Sequence, residues 1–312
     1  MSAEKVLALR ILISGAGGFV GRHLAAATAR AGHDVVALMH RTWPPALAKE
    51  PRVRLERADL AAADILPAGP FDALIHCAAA IPSVVPDDAE LMRINVEAAR
   101  RLFDHALRGG ARIVIFCSSM AVYGRIEEEV VEVSTPVREP NAYGQSKLEG
   151  ERFLNELSRA HPSLRALSLR LPGVVGLGSH DNFLSDTMAR LLTGEEVIAR
   201  NPDALFNNVV HIDDLARFTY DLLGTLPEGH RVVTIAADDP QPISDVVRIM
   251  EVAAARVGAV RYERAGRTFL ISNVEAFALG YRPATVRDSV RRFAETRAAK
   301  HRISLAGAVR NA

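Results

Sequence analysis

Leu9-Arg10-Ile11-Leu12-Ile13-Ser14-Gly15-Ala16-Gly17-Gly18-Phe19-Val20-Gly21-Arg22-His23-Leu24-Ala25-Ala26-Ala27 is the stretch whose pattern decides the fold. Its first six residues are an apolar run of strand length. Gly15 to Gly21 is a glycine-rich turn, and Arg22 to Ala27 is a good helix former. Strand, turn and helix in this order make the first βα junction of a dinucleotide-binding sheet. Glycines permit the tight turn, let backbone N–H groups approach a pyrophosphate and let the helix pack closely on the strand. The helix N-terminus then favours the anion.

Outward from this junction the alternation continues. Val35 to Met39, Val53 to Leu55, Ala73 to Cys77, Ile113 to Cys117 and Leu164 to Leu169 read as strands, and Ala89 to Leu107 and Tyr143 to Ala160 as helices. Such alternation implies parallel strands joined by right-handed crossovers. The expected fold is α/β, a Rossmann-type doubly wound parallel sheet with a smaller C-terminal substrate-binding lobe. Residues 1–170 should form the NAD(P)-binding Rossmann domain, with returning segments at about 207–237. Residues 171–206 and 238–299 should form the lobe, and 300–312 a poorly ordered tail. Asn208 to Ile212 and Val232 to Ala236 look like further strands. Pro242 to Val257, Val274 to Leu279 and Thr285 to Arg297 look like helices of the lobe.

Composition narrows the class. The 312 residues can bury a substantial core, and 38 basic against 37 acidic residues leave no basic stripe for nucleic acid. A small-molecule partner is expected. Cys77 and Cys117 each follow an apolar run without Cys-x-x-Cys spacing, so they read as buried free thiols in a reducing compartment. Met1 to Arg10, with Glu4 and Lys5, has no secretory pattern, and no apolar run is long enough to span a bilayer. A soluble cytoplasmic protein is expected. No His, Cys and carboxylate cluster has metal-ligand spacing, so no metal is expected.

Tyr143 and Lys147 lie four residues apart in Asn141-Ala142-Tyr143-Gly144-Gln145-Ser146-Lys147. On a helix they share a face, and an ammonium beside a phenol favours its ionised form, which suits proton relay near neutral pH. Tyr-x-x-x-Lys alone is common on solvated helices. Combined with the glycine turn, it resembles the extended short-chain dehydrogenase/reductase family, also called the NAD-dependent epimerase/dehydratase family. Gly15, Gly18 and Gly21, with Phe19 and Val20 among them, fit that family's Gly-x-x-Gly-x-x-Gly turn. Asp59-Leu60 fits its acidic residue near the adenine, and His76-Cys77-Ala78-Ala79 its segment after the fourth strand. Asn95 looks like its structural asparagine. Ser118-Ser119-Met120-Ala121-Val122-Tyr123-Gly124 is similar to its Ser-Ser-x-x-Val-Tyr-Gly, and Val210 to Ala216 resembles its later His-Val-x-Asp block.

The resemblance implies catalysis by Ser119, Tyr143 and Lys147. It puts the cofactor on Gly15, Gly18, Phe19, Val20, Gly21, Asp59, Leu60, Ala78, Ala79, Tyr143, Lys147 and Pro172, and the end of the second strand adds His40 and Arg41. Tyr143 would exchange a proton with the substrate oxygen, Ser119 would hold that oxygen, and Lys147 would also bond the nicotinamide ribose. His76 and His211 are expected to pack, and Asp213 and Asp214 to sit structurally at a helix start. The second strand ends in Met39-His40-Arg41 with no carboxylate, so NADP is expected as cofactor, with NAD the alternative.

Departures narrow the reaction. The family's dehydratases carry Asp-Glu after the catalytic hydroxyl, where this chain has Met120-Ala121. Its epimerases commonly carry Asn three residues beyond Arg170, where Gly173 stands, and Arg-Asp where Asn207-Asn208 stand. Arg190, Arg200, Arg282 or Arg287 would then grip substrate phosphates. The expected function is an oxidoreductase reducing a keto group on a sugar nucleotide of 4-keto-6-deoxyhexose type. The alternatives are a nucleotide-sugar 4-epimerase and a catalytically silent dinucleotide-sensing protein. By analogy a homodimer is expected, built on Leu91, Ile94, Ala98, Leu102, Leu148, Phe153 and Leu157.

Overall fold

The structure is a computed structural model that describes residues 8–62, 65–256 and 260–310. Glu4 and Lys5, the expected helix end at Val257 and the tail residues Asn311 and Ala312 lie outside the described residues. The strands are β1 (Arg10–Ser14), β2 (Asp34–Met39), β3 (Val53–Arg57), β4 (Ala73–His76), β5 (Ile113–Ser119), β6 (Val130–Val131), β7 (Arg165–Leu171) and β8 (Gly173–Val175). There follow β9 (Val197–Arg200), β10 (Leu205–Phe206), β11 (Val209–His211), β12 (Gly229–Thr234), β13 (Gln241–Pro242), β14 (Val260–Glu263) and β15 (Leu270–Ile271). The helices are α1 (Phe19–Arg30), α2 (Asp88–Arg108), α3 (Ala142–Ala160), α4 (Phe183–Thr193), α5 (Ile212–Thr225), α6 (Ile243–Ala254), α7 (Val274–Ala278) and α8 (Val286–Arg310).

Seven strands form one parallel sheet in the order β12-β7-β5-β4-β1-β2-β3. Strand pleating sends alternate residues to opposite faces. Ile11, Ile13 and Ile75 therefore pack with Leu24 of α1 and Leu215 and Leu222 of α5. Leu12, Leu74 and Val114 pack with Leu102 and Phe103 of α2 and Leu154 of α3. A separate apolar cluster joins Met188 of α4, Val247 of α6 and Phe293 of α8, with the parallel pair β9–β14 beside it. Order reverses between β1 and β4, so the cleft for a ligand opens at the carboxyl ends of those strands.

Two expectations change. Of the two late strands, β12 completes the main sheet, while β11 pairs only with β8. The tail is helical to Arg310. Phe293, Ala294 and Ala298 anchor α8 in the lobe core, and the good helix formers that follow carry the helix onward without an apolar stripe. The residues offered for a dimer face are largely engaged within the chain. Leu91, Ala98 and Leu102 are buried, and Phe153 stacks on Phe103 at 6.2 Å with Arg100 over its ring. The outward sides of α2 and α3 carry ion pairs such as Arg93 with Glu90 and Glu97, and Arg152 with Glu149. Among the described residues, no helix is long and apolar enough to cross a membrane, and no group of three or more ligating side chains is placed to hold a metal.

Candidate active site

The glycine turn lies against the loop after β4. Gly15 has φ +74°, and a Cβ there would stand 2.6 Å from the Ala78 amide nitrogen; one at Gly21 would stand 2.3 Å from the Gly15 oxygen. Backbone already fills both places, so only glycine keeps the turn this tight. Gly18 precedes α1 without a side-chain cap, and the first turn of α1 has no acidic residue. The N–H groups of Phe19 and Val20 therefore stay available to an anion at a helix N-terminus. These features fit a dinucleotide pyrophosphate. Ala78, beside the turn, donates to Ser14 Oγ at 3.3 Å. Asn95 braces Ala80, accepting from its amide at 2.7 Å and donating to Ala80 O and Ser146 Oγ, each at 3.0 Å. Ala79 stands between these two anchors.

At the expected adenosine end, His40 Nε2 lies 3.3 Å from Asp59 Oδ2, and Asp59 Oδ1 accepts from the Ala61 amide at 2.9 Å. Leu60 packs against the α2-side core. Arg41 is exposed and makes no hydrogen bond or ion pair with a described residue.

Ser119 is the last residue of β5 and caps the following 3₁₀ turn, Met120–Tyr123, by accepting from the Ala121 amide at 3.1 Å. Capping uses the oxygen and leaves the hydroxyl proton free to donate. Asn141 caps α3 by accepting from the Gly144 amide, and Tyr143 stands in the first turn. A Cβ at Gly144 would stand 2.1 Å from Ala121 O, so glycine lets α3 press directly on the turn that Ser119 begins. Lys147 is buried, donates to Cys117 O at 2.8 Å, and lies 4.9 Å from the Phe116 ring centre and 5.7 Å from that of Tyr143. The three expected catalytic side chains thus converge at the carboxyl end of β5. Pro172, half-buried, follows β7 on the same edge of the sheet.

Beneath them runs a polar network that the motif reading did not single out. Glu151 Oε2 accepts from Arg170 Nη2 at 2.7 Å, with side chains 5% and 8% exposed. Glu151 Oε1 also accepts from Ser118 Oγ and from Arg170 Nε. Arg170 Nη1 donates to Tyr123 Oη at 2.8 Å. Glu151 follows Lys147 by four residues, as Lys147 follows Tyr143, and that spacing was the available signal.

His76 is 1% exposed, stacks on Phe116 at 5.4 Å, and shares a 2.7 Å hydrogen bond with Ser14 Oγ. Burial, then the Lys147 cation, pushes its pKa down to about 3, so it is neutral when folded. Because the folded value lies below the unfolded one near 6.5, its stabilisation is complete above that pH. It is lost as pH falls from about 6.5 towards 3, at about 1.4 kcal/mol per pH unit. Urea midpoints should therefore drop between pH 6.5 and 5, and His76→Asn should flatten the drop. An unchanged midpoint in wild-type protein would overturn this.

The expected phosphate cations divide. Arg190, Arg282 and Arg287 bond Glu196 O, Tyr281 O and Gln241 Oε1 respectively, while Arg200 is exposed. Asn207 clamps the Ile271 backbone, donating to Ile271 O and accepting from the Ile271 amide. His211, not Asp213 or Asp214, caps α5. Asp214 instead accepts from Arg217, Arg292 and the Ala284 amide. A cavity of about 660 Å³ is lined in part by Glu127, Asn201, Asp203, Arg264 and Arg267, and none of Ser119, Tyr143 and Lys147 lines it. Arg264 has no described partner, and Arg267 donates to Glu127 O.

The profile of the NAD dependent epimerase/dehydratase family matches residues 11–236. The chain belongs to that family. Among curated relatives, UDP-glucose 4-epimerase of Azospirillum brasilense is 29% identical over 306 residues, 95% of this chain and 79% of that protein. D-erythronate dehydrogenase of Haemophilus influenzae is 24% identical over 303 residues, 88% and 95% of the two chains. The solved UDP-glucose 4-epimerase from Bifidobacterium longum, in complex with NAD+ and UDP, superposes with a TM-score of 0.74 at 21% identity. That likeness, over 92% of this chain and 97% of the other, is one of fold.

Proposed function

We propose that the chain is a nucleotide-sugar 4-epimerase working with bound NAD. The observation that carries this is similarity to a UDP-glucose 4-epimerase along 95% of the chain, on a site that holds Ser119, Tyr143 and Lys147. Met120 and Ala121 supply neither acid nor base after Ser119, which argues against elimination. Bound NAD supplies a hydride acceptor that later returns the hydride. Tyr143 takes the proton of the sugar hydroxyl as its carbon is oxidised and gives a proton back when the carbon is re-reduced. Ser119 donates its free hydroxyl proton to the same oxygen. Lys147, fixed on Cys117 O, keeps a positive charge beside Tyr143 while the phenol proton is away. Arg264 and Arg267 are the candidate cations for the diphosphate.

Net reduction of a keto sugar nucleotide is the second reading. Exposed Arg41 favours it, because a reductase draws on exchangeable NADPH. Incubation with UDP-glucose or UDP-galactose and no added reductant should interconvert them. Absence of interconversion, with stoichiometric NADPH consumption on a keto sugar nucleotide, would replace the epimerase by the reductase.

Arg41 sets the cofactor prediction. A charge-assisted contact to the 2′-phosphate of NADP is worth roughly 1.5–3 kcal/mol. Arg41→Ala should weaken NADPH binding about 10- to 100-fold and leave NAD nearly unchanged. Fluorescence titration of both cofactors checks this, and equal effects on the two would make Arg41 an ordinary surface residue.

A further inference from the structure

The chain's two cysteines, Cys77 and Cys117, are free thiols with sulfurs 3.4 Å apart. The sheet brings them together. Both lie one residue beyond the His76–Phe116 register pair of β4 and β5. Neighbouring strands run about 4.8 Å apart, inside the window of about 4.4–6.8 Å between α-carbons that a disulfide bridges. Cys117 is buried, whereas Cys77 keeps partial exposure. The proposed reaction uses neither thiol.

Their position ties them to the site. The carbonyl of Cys117 holds the Lys147 ammonium. The peptide after Cys77 abuts the glycine turn, with its carbonyl carbon 2.9 Å from the place of a Cβ on Gly15. Bonding the sulfurs at about 2.05 Å closes the 3.4 Å gap and pins the carboxyl ends of both strands to each other, beside the wall of the dinucleotide cradle and the seat of Lys147.

We propose that Cys77 and Cys117 are a modification site, oxidised by a peroxide to an intrachain disulfide that weakens dinucleotide binding, and that bound dinucleotide guards the pair. In the first step a thiolate sulfur attacks one peroxide oxygen. An S–O bond forms, the O–O bond breaks, and the departing oxygen leaves as water after taking a proton. The second thiol then attacks the sulfenic sulfur. The S–S bond forms, the S–O bond breaks and a second water leaves. Two thiols give up two electrons, and the peroxide is reduced to two waters. The hydrogen bond between the thiols lets one sulfur carry the charge at the other's expense, while burial raises both and the Lys147 cation lowers both.

Protein stripped of cofactor and treated with hydrogen peroxide should lose both free thiols, counted after unfolding, and yield cross-linked Cys77 and Cys117 peptides. Dithiothreitol should restore both thiols. The oxidised protein should bind NAD at least tenfold more weakly by fluorescence titration, and preloading with NAD should slow oxidation at least fivefold. Cys77→Ser should form no intrachain bond and keep near-wild-type NAD affinity after the same treatment. Retention of both thiols, over-oxidation without a cross-link, a bond between chains, or oxidised protein binding NAD within twofold of reduced protein would each overturn the proposal. Loss of turnover on oxidation rests on the function proposed above. Thiol count and NAD affinity do not, so a failed epimerase assay leaves this test intact.

Discussion

Tyr143→Phe should lower turnover at least about a hundredfold while leaving the dissociation constant for NAD within about twofold. The change removes one oxygen and keeps the ring, so Lys147 still lies over an aromatic face and still donates to Cys117 O. Neither the Asn141 cap nor the contact of Gly144 with Ala121 involves the phenol oxygen. The fold around the site should therefore survive, and the loss should fall on kcat. Comparing steady-state rates and NAD titrations of the two proteins decides it. Turnover within a few-fold of wild type would remove Tyr143 as the proton carrier.

The largest loss of stability is expected from Glu151→Ala. Arg170 would then sit buried with its main anionic partner gone, and removing one member of a buried pair costs about 3–5 kcal/mol. Ser118 and Tyr123 would be left with a disturbed network next to Ser119. Urea unfolding followed by circular dichroism measures this. Replacing both partners, as Glu151→Leu with Arg170→Met, should recover much of the loss, since the cost comes from the stranded charge. A single variant within 1 kcal/mol of wild type would show that water or a neighbour neutralises Arg170.

Much of this molecule was legible because its information is local. The β1–turn–α1 junction, the strand ending at Ser119 and the Tyr143–Lys147 helix face each depend on residues a few positions apart, where pleat and helix periodicities act. Features set by distant pairing were harder to read. Nothing near Val209–His211 reveals that this strand pairs with β8 and not with the main sheet. Glu151 and Arg170 are 19 residues apart, and only the fold buries them together. Arg264 and Arg267 come from an irregular loop with no periodicity to mark it, and nothing local distinguishes them from Arg190, Arg282 and Arg287. The tail misled for the opposite reason. Beyond Ala298 no apolar stripe is needed, because helix propensity and the buried stretch before it suffice.

Strand order also bears on how the chain emerges from the ribosome. By Leu171 six of the seven sheet strands and all of Ser119, Tyr143 and Lys147 have been synthesised, but β12, the neighbour of β7, arrives only after α4 and α5. Until then β7 presents an open row of backbone donors and acceptors, the template on which nascent chains pair with one another. Synthesis halted between Leu171 and Gly229 should therefore give aggregates in place of a small dinucleotide-binding domain, and extension through Thr234 should restore solubility.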